Sequence, residues 1–191
     1  MTPQTEVQHQ LVSLFADRPC WMIGPLANRL DYSIPSVRRF LMQTGYYSSF
    51  THNGRWYTLA SIPKFSAEGL WFHEEIGFSR ARSLTNTLVN LVSKSKSGMT
   101  SEQLGQMLHC RCHSVLVELF RQERLQRQKR GRVFIYVSAD EQTAASQLQV
   151  VSNTEKMALP AEIAVLILVE YIHYPEAGFS KLAQRIVRRA K

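Results

Sequence analysis

Four side chains with an affinity for soft metals fall within five residues, His109-Cys110-Arg111-Cys112-His113. Thiolate plus imidazole is the donor set of structural zinc. The spacing argues against that use. Two cysteines one residue apart and both flanking histidines cannot all reach one tetrahedral ion from a tight turn, and Cys20 lies far upstream with no partner pair. We therefore expect no metal and no cofactor, with the cysteines as small turn residues and Arg111 and His113 at the start of a helix. His73-Glu74-Glu75 lacks a third carboxylate in pattern to complete a cation site. Nothing points to covalent or hydrolytic catalysis either: there is no G-x-S-x-G, H-E-x-x-H, phosphate-cradling glycine loop or dinucleotide fingerprint. Aspartates are too scattered for a two-metal nuclease. The chain does not read as an enzyme.

Binding chemistry is better represented. The 191 residues carry a net charge of +8, which favours a polyanionic partner. The charge is also concentrated, since Arg121, Arg124, Arg127, Lys129, Arg130 and Arg132 lie close together with only Glu123 opposing them. Such a run serves phosphate neutralisation well. Three cysteines, an odd number, and an N-terminus without a basic-then-apolar signal pattern imply reduced thiols and a cytoplasmic protein. The longest apolar run, Ile163 to Val169, is far shorter than the roughly twenty residues of a membrane span.

The elements that would position these groups follow from periodicity. Thr100 with Gln103 has the form of a capping box, so a helix should start there with Leu104, Met107 and Leu108 on its apolar side. His109 to His113 makes a turn. Val115, Leu116, Leu119 and Phe120 then mark one face of a second helix, leaving Glu118, Arg121 and Gln122 outward. Gln126 to Arg132 is polar and basic, and Val133 to Val137 alternates as a half-buried strand does, which completes a hairpin. Upstream, Thr5 to Phe15 has helical spacing that ends at Asp17-Arg18-Pro19, and a short helix carries Leu26, Ala27 and Leu30. Pro35 suits the first turn of the next helix, with Ser33 or Ser36 as its cap. That helix turns Val37, Phe40 and Leu41 inward and Arg38, Arg39 and Gln43 outward. Tyr46 to Phe50 and Trp56 to Leu59 are strand candidates around His52-Asn53-Gly54-Arg55, whose Asn-Gly pair signals a hairpin.

The two series can be superposed. Leu26-Ala27 and Leu30 match Leu104-Gly105 and Leu108 at a shift of 78, Ser36-Val37 and Leu41 match Ser114-Val115 and Leu119 at the same shift, and Gly54-Arg55 matches Gly131-Arg132 at 77. Leu11, Val89 and Ile167 keep step, and a second shift of 78 reaches Leu182-Ala183 and Ile186. The expected organisation is a first unit over 1–62, a connector over 63–79 in which Trp71 and Phe72 dock the units together, a second unit over 80–148 and an incomplete third over 149–191. Ser93 to Gly98 reads as a loop and Val151 to Lys156 as a linker. The apolar face of Ile163, Val165, Leu166, Ile167, Val169 and Tyr171 needs a cover, either the second unit or another copy of the chain through residues 160–190.

With LANRL-DYSIPSVRRFL and NGRWYTL in one unit, and LGQML-HCRCHSVLVELF and KRGRVFIYV in the other, the chain resembles tandem winged-helix DNA-binding proteins of bacteria. That class includes transcription regulators, plasmid replication initiators and accessory proteins of mobile elements. The resemblance implies a mostly α fold with small β-hairpin wings, tandem winged helix-turn-helix repeats with the third incomplete, and a nucleoid-associated protein that binds double-stranded DNA. The candidate contacts are Ser33, Ser36, Arg38, Arg39 and Gln43 on the first recognition helix and Asn53 and Arg55 on its wing. In the second unit they are Arg111, His113, Ser114, Arg121 and Gln122, with Arg127, Lys129, Arg130 and Arg132 on the wing. The competing reading is a protein-interaction scaffold whose helices never enter a groove. RNA stacking on Tyr46, Tyr47, Trp56 and Tyr57 is a smaller alternative to their packing in the hairpin.

Overall fold

Val7, Leu11 and Phe15 recur every four residues and so share one stripe of a helix. In the computed structural model, which describes residues 3–157 and 161–189, they are the buried stripe of α1 (Pro3–Asp17). After Pro19 come β1 (Trp21–Met22), α2 (Ile23–Leu30), α3 (Ile34–Thr44), β2 (Tyr46–Ser48) and β3 (Trp56–Leu59). α2 buries Leu26, Ala27 and Leu30, and α3 buries Val37, Phe40 and Leu41. These side chains, the α1 stripe and Leu59 form one core. The three strands pair antiparallel in the order β1-β3-β2.

The stretch expected to be a plain connector is itself a hairpin, β4 (Leu70–His73) with β5 (Ile76–Ser79). Its turn takes the left-handed conformation at Glu74 (φ 53°) rather than at a Gly or Asn, so it carries no sequence signal. The hairpin is stitched to the preceding strand pair: Phe50 N donates to Gly77 O at 2.9 Å and Gly77 N donates to Thr51 Oγ1 at 2.9 Å. Phe72 bridges the two halves as expected, edge-to-face with Phe50 and stacked on His109 at 4.6 Å. Trp71 instead packs beside Cys20, Ile76 and Phe78 in a small separate core.

The same element order then recurs: α4 (Leu84–Lys94), β6 (Met99–Thr100), α5 (Ser101–Leu108), α6 (His113–Arg121), β7 (Leu125–Arg130) and β8 (Val133–Ser138). The second sheet also has its third strand in the middle, β6-β8-β7. The capping box of α5 is present in full, with Gln103 N donating to Thr100 Oγ1 at 3.2 Å and Thr100 N to Gln103 Oε1 at 2.9 Å. Leu88, Leu91, Val92, Leu104, Leu108, Leu116, Leu119, Leu125 and Tyr136 make the core, joined by Phe50 and Leu70.

The repeat is real in element order, but its register is not constant. Along the first helices the core-facing stripes Val7/Leu11/Phe15 and Leu84/Leu88/Val92, of which Leu84 is half-buried, correspond at 77, so Leu88 rather than Val89 is the partner of Leu11. From β1 and β6 through Asp31 and His109, both left-handed at the ends of α2 and α5, the shift is 78. From the residues that open α3 and α6, Ser33 and Cys112, it is 79, and Tyr46↔Leu59 and Leu125↔Ser138 keep that value. One residue has been gained in each of two loops, 95–98 against 18–20 and 109–112 against 31–33. The matches Val37 with Val115 and Leu41 with Leu119 are therefore displaced by one, and Gly54 and Gly131 are not equivalent positions.

The second sheet runs into α7 (Glu141–Met157), where Asp140 Oδ2 accepts from Thr143 N at 2.8 Å. The segment 151–156, expected as a linker, is helical within α7. Gln147 fastens α7 to both its neighbours, with Nε2 donating to Val92 O and Ser95 O at 2.8 Å and Oε1 accepting from Ser138 N at 2.9 Å. The chain divides into two compact units, 1–148 and 149–191. Within the second, α8 (Ala161–His173) packs on α9 (Phe179–Arg189), which starts 156 residues after α2. Residues 160 and 190, the limits of the expected dimer segment, lie outside the described residues. Among the described residues no helix is long and apolar enough to cross a membrane.

Candidate nucleic-acid interface

α3 turns its apolar face into the core, which leaves Arg38, Arg39 and Gln43 exposed. Ser33 occupies the capping position but does not cap with its side chain; its hydroxyl meets that of Ser36 at 3.0 Å. Pro35 supplies the fixed backbone of the first turn and makes a serine cap less necessary. Met42 stands out between the arginine and glutamine positions, 72% exposed. The adjoining strand pair closes differently from the tight Asn-Gly hairpin expected. His52, Asn53 and Gly54 are all left-handed (φ 53°, 54° and 69°), and the tip curls over a bond from Ser49 Oγ to Thr51 O at 2.8 Å. Asn53 and Arg55 remain exposed on it.

α6 opens at His113, preceded by Cys112, so Arg111, His113 and Ser114 stand exposed at its N-terminus. Cys112 is buried, its Sγ donating to Ser101 O at 3.5 Å, and burial pushes its thiol up to about 11. Burial also raises the Cys110 and Cys20 thiols, so all three stay protonated near neutrality. No group of three metal-binding side chains is assembled among the described residues. Further along α6, Glu118 holds both candidate contacts of the last turn. Gln122 Nε2 donates to its Oε1 at 2.8 Å, and Arg121 Nη1 lies 3.8 Å from its Oε2. The exposed face of α6 is thus partly neutralised, whereas among the described residues no carboxylate forms an ion pair with Arg38 or Arg39 of α3.

The second hairpin compensates. β7 and β8 pair over six residues to Arg130↔Val133, and Gly131 (φ 55°) with Arg132 forms the two-residue turn. Lys129 and Arg132 are exposed and Arg130 is half-buried. Strand alternation puts Leu125, Arg127 and Lys129 on one face of β7. The Arg127 guanidinium lies 4.2 Å from the Phe120 ring centre and 4.5 Å from that of Phe134. Arg124 departs from the cluster, with Nη2 donating to Asn86 Oδ1 of α4 at 2.9 Å. Between positions equivalent to Ser48 and Tyr57, the two hairpins have the same length; only the second keeps pairing to its end.

The candidates thus fall into two sets, each on an exposed helix face and on the hairpin that follows that helix in the chain. Sequence reasoning missed the restraint by Glu118 and the rings of Phe120 and Phe134. The first was visible as Glu118 with Gln122 at a spacing of four. The chain matches no protein-family model and no curated protein.

Proposed function

We propose that the chain is a double-stranded DNA-binding protein made of tandem winged-helix units, with α3 and α6 as recognition helices and the β2–β3 and β7–β8 hairpins as wings. Its role would be that of a transcriptional regulator or of a replication or mobile-element accessory factor at the nucleoid. The observation that carries this reading is the repeated order helix, strand, helix, helix, strand, strand, with the last strand central in each sheet. In that order each exposed helix is followed directly by a hairpin, and a net charge of +8 favours binding to phosphates. Residues 160–190 would join two copies, since α8 exposes Val165, Leu168 and Ile172.

The test is fluorescence anisotropy on a random duplex at two salt concentrations. We expect affinity to fall with salt, and Lys129→Ala, Arg130→Ala and Arg132→Ala together to flatten the log–log slope by roughly three units, about one for each phosphate left without its cation. Absent or salt-insensitive binding overturns the reading. A docking module for another protein is the second reading, favoured by Glu118 on the exposed face of α6. It predicts no duplex binding and a partner interaction that Glu118→Gln weakens.

A further inference from the structure

Among the described residues, Arg127 is the candidate contact whose guanidinium lies against two aromatic rings. Phe120 comes from the end of α6 and Phe134 from β8, and the guanidinium carbon sits over both, at 4.2 and 4.5 Å. The guanidinium thus touches two separate rings, one from a helix and one from a strand. Arg127 is half-buried against these rings, and a guanidinium stacked on aromatic rings keeps its planar fork of N–H donors for a partner. Among the described residues no carboxylate forms an ion pair with Arg127. Glu118, the nearest acid in sequence on α6, is engaged by Arg121 and Gln122. The first repeat has Leu41, Ser48 and Arg55 at the equivalent positions, so this clamp is not repeated there; its own two-ring arginine is Arg18, outside the wing, 5.2 and 5.3 Å from the Trp21 and Trp56 ring centres.

We propose that Arg127 is a preorganised bidentate donor, held edge-outward by Phe120 and Phe134, for a pair of acceptor oxygens or nitrogens on DNA. The proposal rests on the duplex-binding reading. A free arginine gives up conformational entropy to present its fork; ring contacts that restrict the side chain beforehand lessen that cost, and partial desolvation strengthens the hydrogen bonds its N–H groups donate. Lys129 and Arg132, exposed and free to move, neutralise phosphates without such geometry. The acceptor pair is either two oxygens of one phosphate or the O6/N7 edge of a guanine.

The experiment compares the wild-type chain, Arg127→Lys, the double variant Phe120→Leu with Phe134→Leu, and Lys129→Ala. Each is titrated against a random duplex and against a duplex selected from that pool by the wild-type protein, at several salt concentrations. Arg127→Lys and the double leucine variant keep the charge. They should lose about 5- to 150-fold in affinity, the range for one bidentate contact, with an unchanged salt slope. Lys129→Ala should instead lower the slope by about one unit. Equal loss on both duplexes assigns the fork to phosphate, and loss confined to the selected duplex assigns it to guanine; either supports the proposal. Binding within about twofold of wild type by both charge-preserving variants overturns it while the duplex-binding reading stands. Failure of the wild-type chain to bind either duplex overturns both. Matching thermal melts confirm that the variants are folded.

Discussion

A buried thiol beside the start of a helix that should face DNA has consequences for both reactivity and stability. Cys112 donates to Ser101 O from a site almost without solvent, and burial lifts its thiol from an ordinary value near 9 up to about 11. The folded chain therefore disfavours the thiolate that the unfolded chain readily forms above pH 9. Stability from this group is complete below that value and is lost as pH rises from about 9 towards about 11. Denaturant titrations at pH 8 and pH 10.5 should show the fall, and Cys112→Ser should reduce it. Alkylation at pH 8 followed by mass spectrometry should label Cys112 slowly in the native protein and fully in denaturant. Gln147 presents the opposite case, a buried polar side chain with its bonds made. Gln147→Leu leaves Val92 O, Ser95 O and Ser138 N without this partner and should cost roughly 2 kcal/mol in chemical denaturation. The sequence showed Cys112 as a small turn residue but not its bond to Ser101, and Gln147 was not legible at all, because its partners Val92 and Ser95 lie more than fifty residues away in the chain.

Elements were legible where their signals are local. The capping box at Thr100, the buried faces of α2 and α3 and the end of α1 before Pro19 follow from spacing and residue type, and the structure has them there. The two-residue strands β1 and β6 have no period to read, and β4–β5 turns at a glutamate. The repeat was visible, but a single shift of 78 averaged over registers of 77, 78 and 79 because two loops each gained one residue. The first of those loops, 95–98, closes at Gly98, which is left-handed at φ +68° and whose missing Cβ would meet Tyr136 O at 2.6 Å. Gly77 is also tight, yet there the neighbour is the ring of Phe50 at 2.5 Å, a side chain that can shift. Gly98→Ala should therefore destabilise by about 3 kcal/mol or more, combining strain with a backbone clash, and Gly77→Ala by about 1–3 kcal/mol. Thermal melts of the two variants check the order; a milder effect at Gly98 would mean that the loop can move away from β8.

At the scale of the molecule, the chain joins a unit containing two repeats to one holding α8 and α9, where Leu182 alone of the apolar side chains is buried among the described residues. α8 leaves Val165, Leu168 and Ile172 exposed at 56, 60 and 73%, spaced three and four apart on one apolar stripe. A stripe of this kind is self-complementary when a second copy lies antiparallel across a two-fold axis. If α8 joins two copies and the proposed duplex binding holds, each dimer presents two copies each of α3 and α6, and a duplex with two sites is held by both protomers. The second binding event is then intramolecular, which raises affinity by about 10²–10⁴ without any new protein–DNA contact. Leu168→Glu with Ile172→Glu places carboxylates on the stripe and leaves the sequences of α3, α6 and both hairpins unchanged. Light scattering should give twice the monomer mass for the wild type and the monomer mass for the variant. The variant should bind a single-site duplex as the wild type does and lose its advantage on a two-site duplex. A wild-type chain of monomer mass at micromolar concentration would refute the dimer and leave single-duplex recognition to the paired repeats of one chain.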